Sequence, residues 1–238
     1  LASSFSKNDS LTLLDIGFPN KNQSNARKII GSVGDPEIIE NSLKDLPEVI
    51  YYLASVVSGE AEADFSKGWD VNIHAFWAFL SLVKKLNEKS QGQYKPKIIF
   101  TSSIAVFGSP FPNQIPDDFI AAPRTSYGAQ KASCELMLND FSRKGFCEGL
   151  AIRLPTICVR PGKPNLAASS FFSGIIREPL SGINAQLPVS TAVRHWHASP
   201  RSAVRFLRHA ETLNFSQLTF NSGSVSYTHL RAHETSFH

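Results

Sequence analysis

Apolar positions along the chain alternate between short unbroken runs and longer stretches of helical period. Residues 11–15, 49–57, 97–101 and 149–154 are such runs, rich in Val, Ile, Leu and aromatic residues, and they predict strands buried on both faces. Residues 36–46 and 64–86 predict helices, the second with Trp69, Ile73, Phe76, Trp77, Leu80 and Val83 on one side. A loop carrying Pro110, Pro112, Pro116 and Pro123 leads into a helix predicted over 126–145. Strands separated by helices predict an α/β chain with a doubly wound parallel sheet.

The texture changes after Pro155. Pro161, Gly162, Pro164, Gly174, Pro179, Gly182 and Pro188 cut the chain into short pieces, as in a smaller lobe. Ala203, Phe206, Leu207 and Ala210 then predict a helix over 202–211 that returns to the main body. The expected division is a main domain over 1–155, a partial second lobe over 156–223 and a tail over 224–238. From Val225 the tail has no apolar period, and it resembles translated adapter sequence. A natural polar tail is the alternative, in which His229 and His233, spaced i, i+4, form a metal pair; no metal is expected. The chain begins at Leu1 and its single methionine is Met137, so it reads as a piece of a longer protein.

Composition narrows the function. With 238 residues, 42% hydrophobic and 18% charged, the chain has the profile of an ordinary globular protein. Its net charge of +4 is scattered in ones and twos, which calls for neither nucleic acid nor a membrane surface as partner. The absence of a long apolar run or a signal-like start points to a soluble, cytoplasmic protein. Cys134, Cys147 and Cys158 show no Cys-x-x-Cys spacing, as expected of free thiols.

The chemistry-bearing residues begin with Tyr127 and Lys131, four apart and therefore on one face of the predicted helix. A cation beside a phenol favours the phenolate that a tyrosine general base needs. By itself the pair also fits a solvated aromatic and ammonium. Ser102 and Ser103 stand at the carboxyl end of the 97–101 strand, where open α/β sheets place ligands; alone they also fit a strand-ending turn. Asp15 ends the first strand, as either a turn residue or an acid facing a ribose.

Taken together, these residues resemble the extended short-chain dehydrogenase/reductases, a Rossmann-like family. The resemblance rests on Ser-Ser-x-x-Val-Phe-Gly ending at Gly108, Tyr-x-x-x-Lys at Tyr127 and Lys131, Leu53-Ala-Ser-Val, and Asn72 in Asp-Val-Asn-Ile-His. Segments 56–65, 153–165 and 173–180 are more narrowly similar to D-erythronate dehydrogenases. The resemblance implies a dehydrogenase that oxidises a sugar acid at C2 with NAD. It makes Tyr127 the base, Ser103 a partner of the substrate oxygen, Lys131 the group that tunes Tyr127 and holds a ribose, and Asn72 a support of the proton relay. It assigns cofactor contacts to Asp15, Ser32, Val33, Ala54, Ser55, Val56, Asn72, Tyr127, Lys131, Pro155, Thr156 and Ile157. Asp15 favours NAD over its 2′-phosphorylated form.

Three departures from the family pattern stand out. The Gly-rich phosphate loop is not in the sequence, so this chain is expected to be inactive or barely active. Ser32 stands where relatives often have an adenine-contacting aspartate. Pro200-Arg201 replaces an acidic pair. Arg160, Arg177, Arg194 and Arg201 gather in the lobe, and a guanidinium matches a carboxylate. Arg160 and Arg194 are the candidates for the substrate carboxylate, alongside Ser103 and Tyr127 at the reacting carbon. A nucleotide-sugar epimerase or dehydratase, and a non-catalytic dinucleotide sensor, are the alternative readings. Homodimerisation through the helices around Tyr127 is the expectation for self-association.

Overall fold

The computed structural model describes residues 1–6, 8–18, 26–116, 118–162 and 166–215. Strand β1 (Thr12–Asp15) pairs in parallel with β2 (Arg27–Ile30). Strands β3 (Val49–Tyr52), β4 (Lys97–Ser103) and β5 (Glu148–Leu154) form a second parallel set in that order, and β6 (Thr156–Ile157) pairs with β7 (His197–Ala198). Every strand pair is parallel, as predicted. Among the described residues, however, no ladder joins β1 to β3, so the strands do not form one continuous sheet.

The helices are α1 (Pro36–Leu43), α2 (Ser58–Ala63), α3 (Phe65–Trp69), α4 (Ala75–Lys89), α5 (Ser126–Arg143), α6 (Phe171–Leu180) and α7 (Pro200–Thr212). Asp35 starts α1 by accepting from the amides of Glu37 and Ile38, with Pro36 as its first residue. The helix predicted over 64–86 is interrupted by a π-helical turn, Asp70–His74, between α3 and α4. A π turn takes up an extra residue and rotates the helix beyond it, so a 3.6 period counted from Trp69 fails. Trp77 is accordingly 53% exposed, and Phe79 joins Phe76, Leu80 and Val83 in the core.

The core on this side is aromatic. Tyr52 lies 4.7 Å from Phe76 and Phe76 lies 4.8 Å from Phe100, ring centre to ring centre. Each fully buried ring of this size contributes roughly 2–3 kcal/mol. Leu14 packs against this cluster and Ile39 and Leu43 belong to it, so β1 and α1 share the core of the other strands, with no ladder joining β1 to β3 among the described residues. On the opposite side, α7 lays Leu207 and Ala210 against Ile99, Leu150 and Ile152.

Strand β3 ends at Tyr52, five residues short of the predicted run. Residues 53–57 leave the ladder, and the Val56 amide donates to Asn72 instead. Helix α6 and strand β2 were not predicted, being too short or too broken by Pro179 to show a period. No helix among the described residues is long and apolar enough to cross a membrane. His229 and His233 lie outside the described residues.

Candidate active site

Helix α5 carries Tyr127, Gln130, Lys131, Cys134, Glu135 and Leu138 on one face, at the spacing of a helix that buries a single stripe. Its start is fixed by Thr125, whose hydroxyl accepts from the Gly128 amide at 3.1 Å. Gly128 also brings the helix close to the turn Ile104–Val106, since a Cβ there would sit 2.2 Å from the Ala105 carbonyl oxygen. That approach sets Tyr127 beside Ser103.

Ser102 and Ser103, adjacent on β4, point to opposite faces. Ser102 is buried and donates to Glu135, which also forms a buried ion pair with Arg153 at 2.7 Å. Ser103 accepts from the Ala105 amide at 3.1 Å, and its hydroxyl acts to lower the Tyr127 pKa. Strand alternation thus separates a packing serine from a site serine.

Lys131 is buried, donates from Nζ to the Thr101 carbonyl at 2.8 Å, and lies 5.6 Å from the centre of the Tyr127 ring. Burial pushes its pKa down to about 8, opposed by Cys134 and Glu135. Burial raises the Tyr127 pKa, while hydrogen bonds from Ser103 and Ser55 act the other way.

Asn72, on the π turn, is buried and fully engaged. Its Oδ1 accepts from the Val56 amide and the Ser55 hydroxyl, each at 2.9 Å, and its Nδ2 donates to Gln130 Oε1 at 2.7 Å. Asn72 therefore takes the place of a ladder partner for the segment beyond β3. Ala54 is half-buried at the start of that segment.

Asp15 is exposed at the carboxyl end of β1, with Oδ1 accepting from the Gly17 amide at 3.3 Å. Its carbonyl accepts from Gly31, which sets it near exposed Ser32 and half-buried Val33 at the end of β2. Pro155 and β6 lead into the lobe. There Thr156 shares a 2.7 Å hydrogen bond with His195 Nε2, and the His195 ring stacks on Phe172 at 4.7 Å. Burial and then His197 push the His195 pKa down, favouring its neutral form.

Arg160 is tied by its backbone, its amide donating to Ser173 Oγ at 3.0 Å and its carbonyl accepting from Arg177 at 2.8 Å. Its Nη2 is buried and has no hydrogen-bond partner among the described residues. Arg194 is exposed. The structure thus ties Ser55, Val56 and Asn72 together by hydrogen bonds and sets Lys131 against the Tyr127 ring, while Arg160 and Arg194 make no hydrogen bond to any of these among the described residues. Gln130 and the Glu135–Arg153 pair escaped sequence reasoning. The only signal for Gln130 was its place three residues after Tyr127.

Residues 8–199 match the NAD dependent epimerase/dehydratase family. The chain is 46% identical over 198 residues to a D-erythronate dehydrogenase of Cupriavidus necator, covering 83% of this chain and 59% of that protein. It is 42% identical over 204 residues to a D-erythronate dehydrogenase of Haemophilus influenzae, covering 85% of this chain and 63% of that protein. A crystal structure titled as the nucleoside-diphosphate-sugar epimerase from Agrobacterium tumefaciens superposes with a TM-score of 0.79 at 49% identity, covering 87% of this chain and 61% of that one. The chain thus spans about three-fifths of the length of these relatives. A family match across four-fifths of its residues means that the chain belongs to the NAD dependent epimerase/dehydratase family.

Proposed function

We propose that the protein oxidises the C2 hydroxyl of a small sugar acid, D-erythronate in the first instance, with NAD as acceptor. The observation that carries this reading is the convergence of Ser103 and Lys131 on Tyr127. The residues present fit a dinucleotide. β3, β4 and β5 are parallel and end on one edge, where the buried Lys131 ammonium lies, and the Asp15 carboxylate stands exposed at the end of β1. Asp15, Ser32 and Val33 would hold the adenosine end; Ala54, Ser55, Val56 and Lys131 the middle; and Pro155, Thr156 and Ile157 the nicotinamide end. NAD, when bound, supplies the hydride acceptor.

The chain's own residues do the rest. Tyr127 takes the proton of the substrate hydroxyl. Ser103, whose oxygen already accepts from Ala105, has its own hydrogen free to donate to the same substrate oxygen and aim it. Lys131, with its pKa near 8, is largely charged at neutral pH and stabilises the phenolate. Asn72 holds the Ser55–Val56 segment against the phenol. Arg160 is the better carboxylate partner, because its Nη2 is buried with no partner among the described residues, while Arg194 is exposed. On this reading residues 1–155 carry the dinucleotide and 156–223 the acid. It extends to a homodimer over α4 and α5, where Trp77 and Leu136 turn outward; light scattering checks it.

The test is a panel of aldonic acids with NAD, read as absorbance of the reduced cofactor. D-erythronate is expected to exceed the neutral polyol erythritol by well over tenfold in kcat/KM, since erythritol leaves a guanidinium unmatched. Equal values would remove the sugar-acid reading. The second reading, a nucleotide-sugar epimerase, draws on the name of the Agrobacterium relative and predicts turnover of a nucleotide sugar with no net reduction of NAD.

A further inference from the structure

Helix α2 is only six residues long, yet it reaches three other parts of the molecule. Its Ala61 is fully buried against Gly68 of α3, where an added Cβ would sit 3.2 Å from the Ala61 methyl. Its Glu62 carboxylate accepts from the Ser126 amide at 3.0 Å, one residue before Tyr127 on α5. Its first two residues, both half-buried, meet the lobe. Ser58 Oγ accepts from the Ala168 amide at 3.0 Å, and the Leu166 carbonyl comes so near Gly59 that an added Cβ would sit 2.0 Å from its oxygen. Glycine is a poor choice inside a helix. At this position it makes room for a backbone group, which no change of rotamer could move aside.

What hangs on that contact is the start of α6. Ala168 opens a tight turn, Ala168–Ser170, that runs directly into α6. Helix α6 in turn grips the backbone of Arg160 from two positions, because Ser173 Oγ accepts from its amide at 3.0 Å and Arg177 donates to its carbonyl at 2.8 Å. A continuous path of packed backbone and hydrogen bonds therefore leads from the start of α5, beside Tyr127, through α2 and α6 to Arg160. We propose that Ser58 and Gly59 are positioning residues: by fastening the start of α6 to α2 they fix Arg160 relative to Tyr127, and so set the preference for an acid over a neutral polyol. This deepens the sugar-acid reading and rests on Arg160 as the partner of the carboxylate.

A guanidinium already in place loses less freedom when it captures a carboxylate, so the fastening should act on affinity. Erythritol has no carboxylate and gains nothing from it. The test compares KM and kcat for D-erythronate and erythritol, with the protein made as a form extended ahead of Leu1 by a family-type strand and Gly-rich loop. Gly59→Ala is expected to raise KM for D-erythronate about tenfold with kcat within about twofold, and to leave both constants for erythritol within about twofold. Ser58→Ala, which removes one hydrogen bond, is expected to raise the same KM about threefold, and Ser58→Thr, which keeps the hydroxyl, to restore it. With Arg160→Met already in place, adding Ser58→Ala or Gly59→Ala is expected to change KM by less than twofold, since the group being positioned is gone.

Two further measurements accompany the kinetics. Hydrogen exchange at the Ala168 amide is expected to be about threefold faster or more in Ser58→Ala, and unfolding midpoints show which variants are folded; Ser58→Ala carries the test where Gly59→Ala does not fold. A purely structural role would weaken turnover of both substrates alike. An unchanged KM for D-erythronate in folded Ser58→Ala, an unchanged Ala168 amide, equal losses for acid and polyol, or losses that add to that of Arg160→Met would each overturn the proposal. The parent tests the reading beneath it separately: equal kcat/KM for the two substrates there removes the sugar-acid reading before any variant is made.

Discussion

The face where α5 meets β4 and the lobe beyond Pro155 are built to different standards. On the first, Asn72, Gln130, Lys131, Glu135 and Arg153 are all buried polar residues held by named hydrogen bonds, between aromatic rings on one side and the Tyr127 phenol on the other. On the second, Leu180 is 84% and Ile183 58% exposed, Arg194 and Arg201 face solvent, and buried residues are sparse. Groups that must hold a proton at a fixed atom need neighbours that cannot move, and dense packing supplies them. Groups that choose among acids need only meet the substrate, and sit on loops and short helices. The difference teaches where substitutions should change turnover and where they should change affinity.

The largest effect belongs to Lys131. Lys131→Met is expected to cut kcat by roughly 10²–10⁴-fold, the range of a general acid–base contribution. It is also expected to stabilise the fold at pH 7 by about 1–2 kcal/mol, since a buried ammonium is exchanged for a thioether of similar length. The pH dependence carries a sign. Lys131 titrates near 8 when folded, against an ordinary value of 10.5, so the unfolded chain binds the extra proton between those values. Stability therefore rises with pH across that window in the parent, relative to Lys131→Met. Urea unfolding of both proteins at pH 7 and near pH 10 measures it.

Next comes Glu135. Glu135→Gln withdraws the carboxylate from the fully buried Arg153 guanidinium and from Ser102, and is expected to lower stability by about 3–5 kcal/mol. A loss below about 1 kcal/mol in urea unfolding would show that this face tolerates change as the lobe does, and would erase the contrast.

A smaller effect is expected in the lobe. Arg160→Met should raise KM for the sugar acid roughly thirtyfold with kcat nearly unchanged, as the loss of a charge-assisted hydrogen bond implies. Arg194→Met should leave both within about twofold. The reverse ranking would move the carboxylate site to Arg194. Exposed Asp15 follows Arg160: Asp15→Ser is expected to change the ratio of kcat/KM for NAD over its 2′-phosphate by about tenfold. Parallel assays with the two cofactors decide it.

How much of the molecule was legible in its sequence depends on how local each feature is. Tyr127, Lys131 and Ser103 could be read because a helical spacing and a strand end are visible in consecutive residues, and Asn72 came with the resemblance. The Glu135–Arg153 pair could not, since its two residues meet only when α5 packs across β5. Gln130 was not read at all, because its burial against Gly68 arises only when α3 packs on α5. The π turn at Asp70–His74 misled the helical count and put Trp77 on the wrong face. Among the described residues no ladder joins β1 to β3, and such pairing is not written in a hydrophobic pattern.

The central claim is that the phenol of Tyr127 is the base of a sugar-acid dehydrogenase. The most direct measurement is NAD reduction by D-erythronate in the parent and in Tyr127→Phe, each made as this chain and as a form extended ahead of Leu1 by a family-type strand and Gly-rich loop. The expected result is turnover in the extended parent, a fall of roughly 10²–10⁴-fold in extended Tyr127→Phe, and unchanged NAD affinity by calorimetry between those two. Turnover by Tyr127→Phe within a few-fold of the parent would contradict the account.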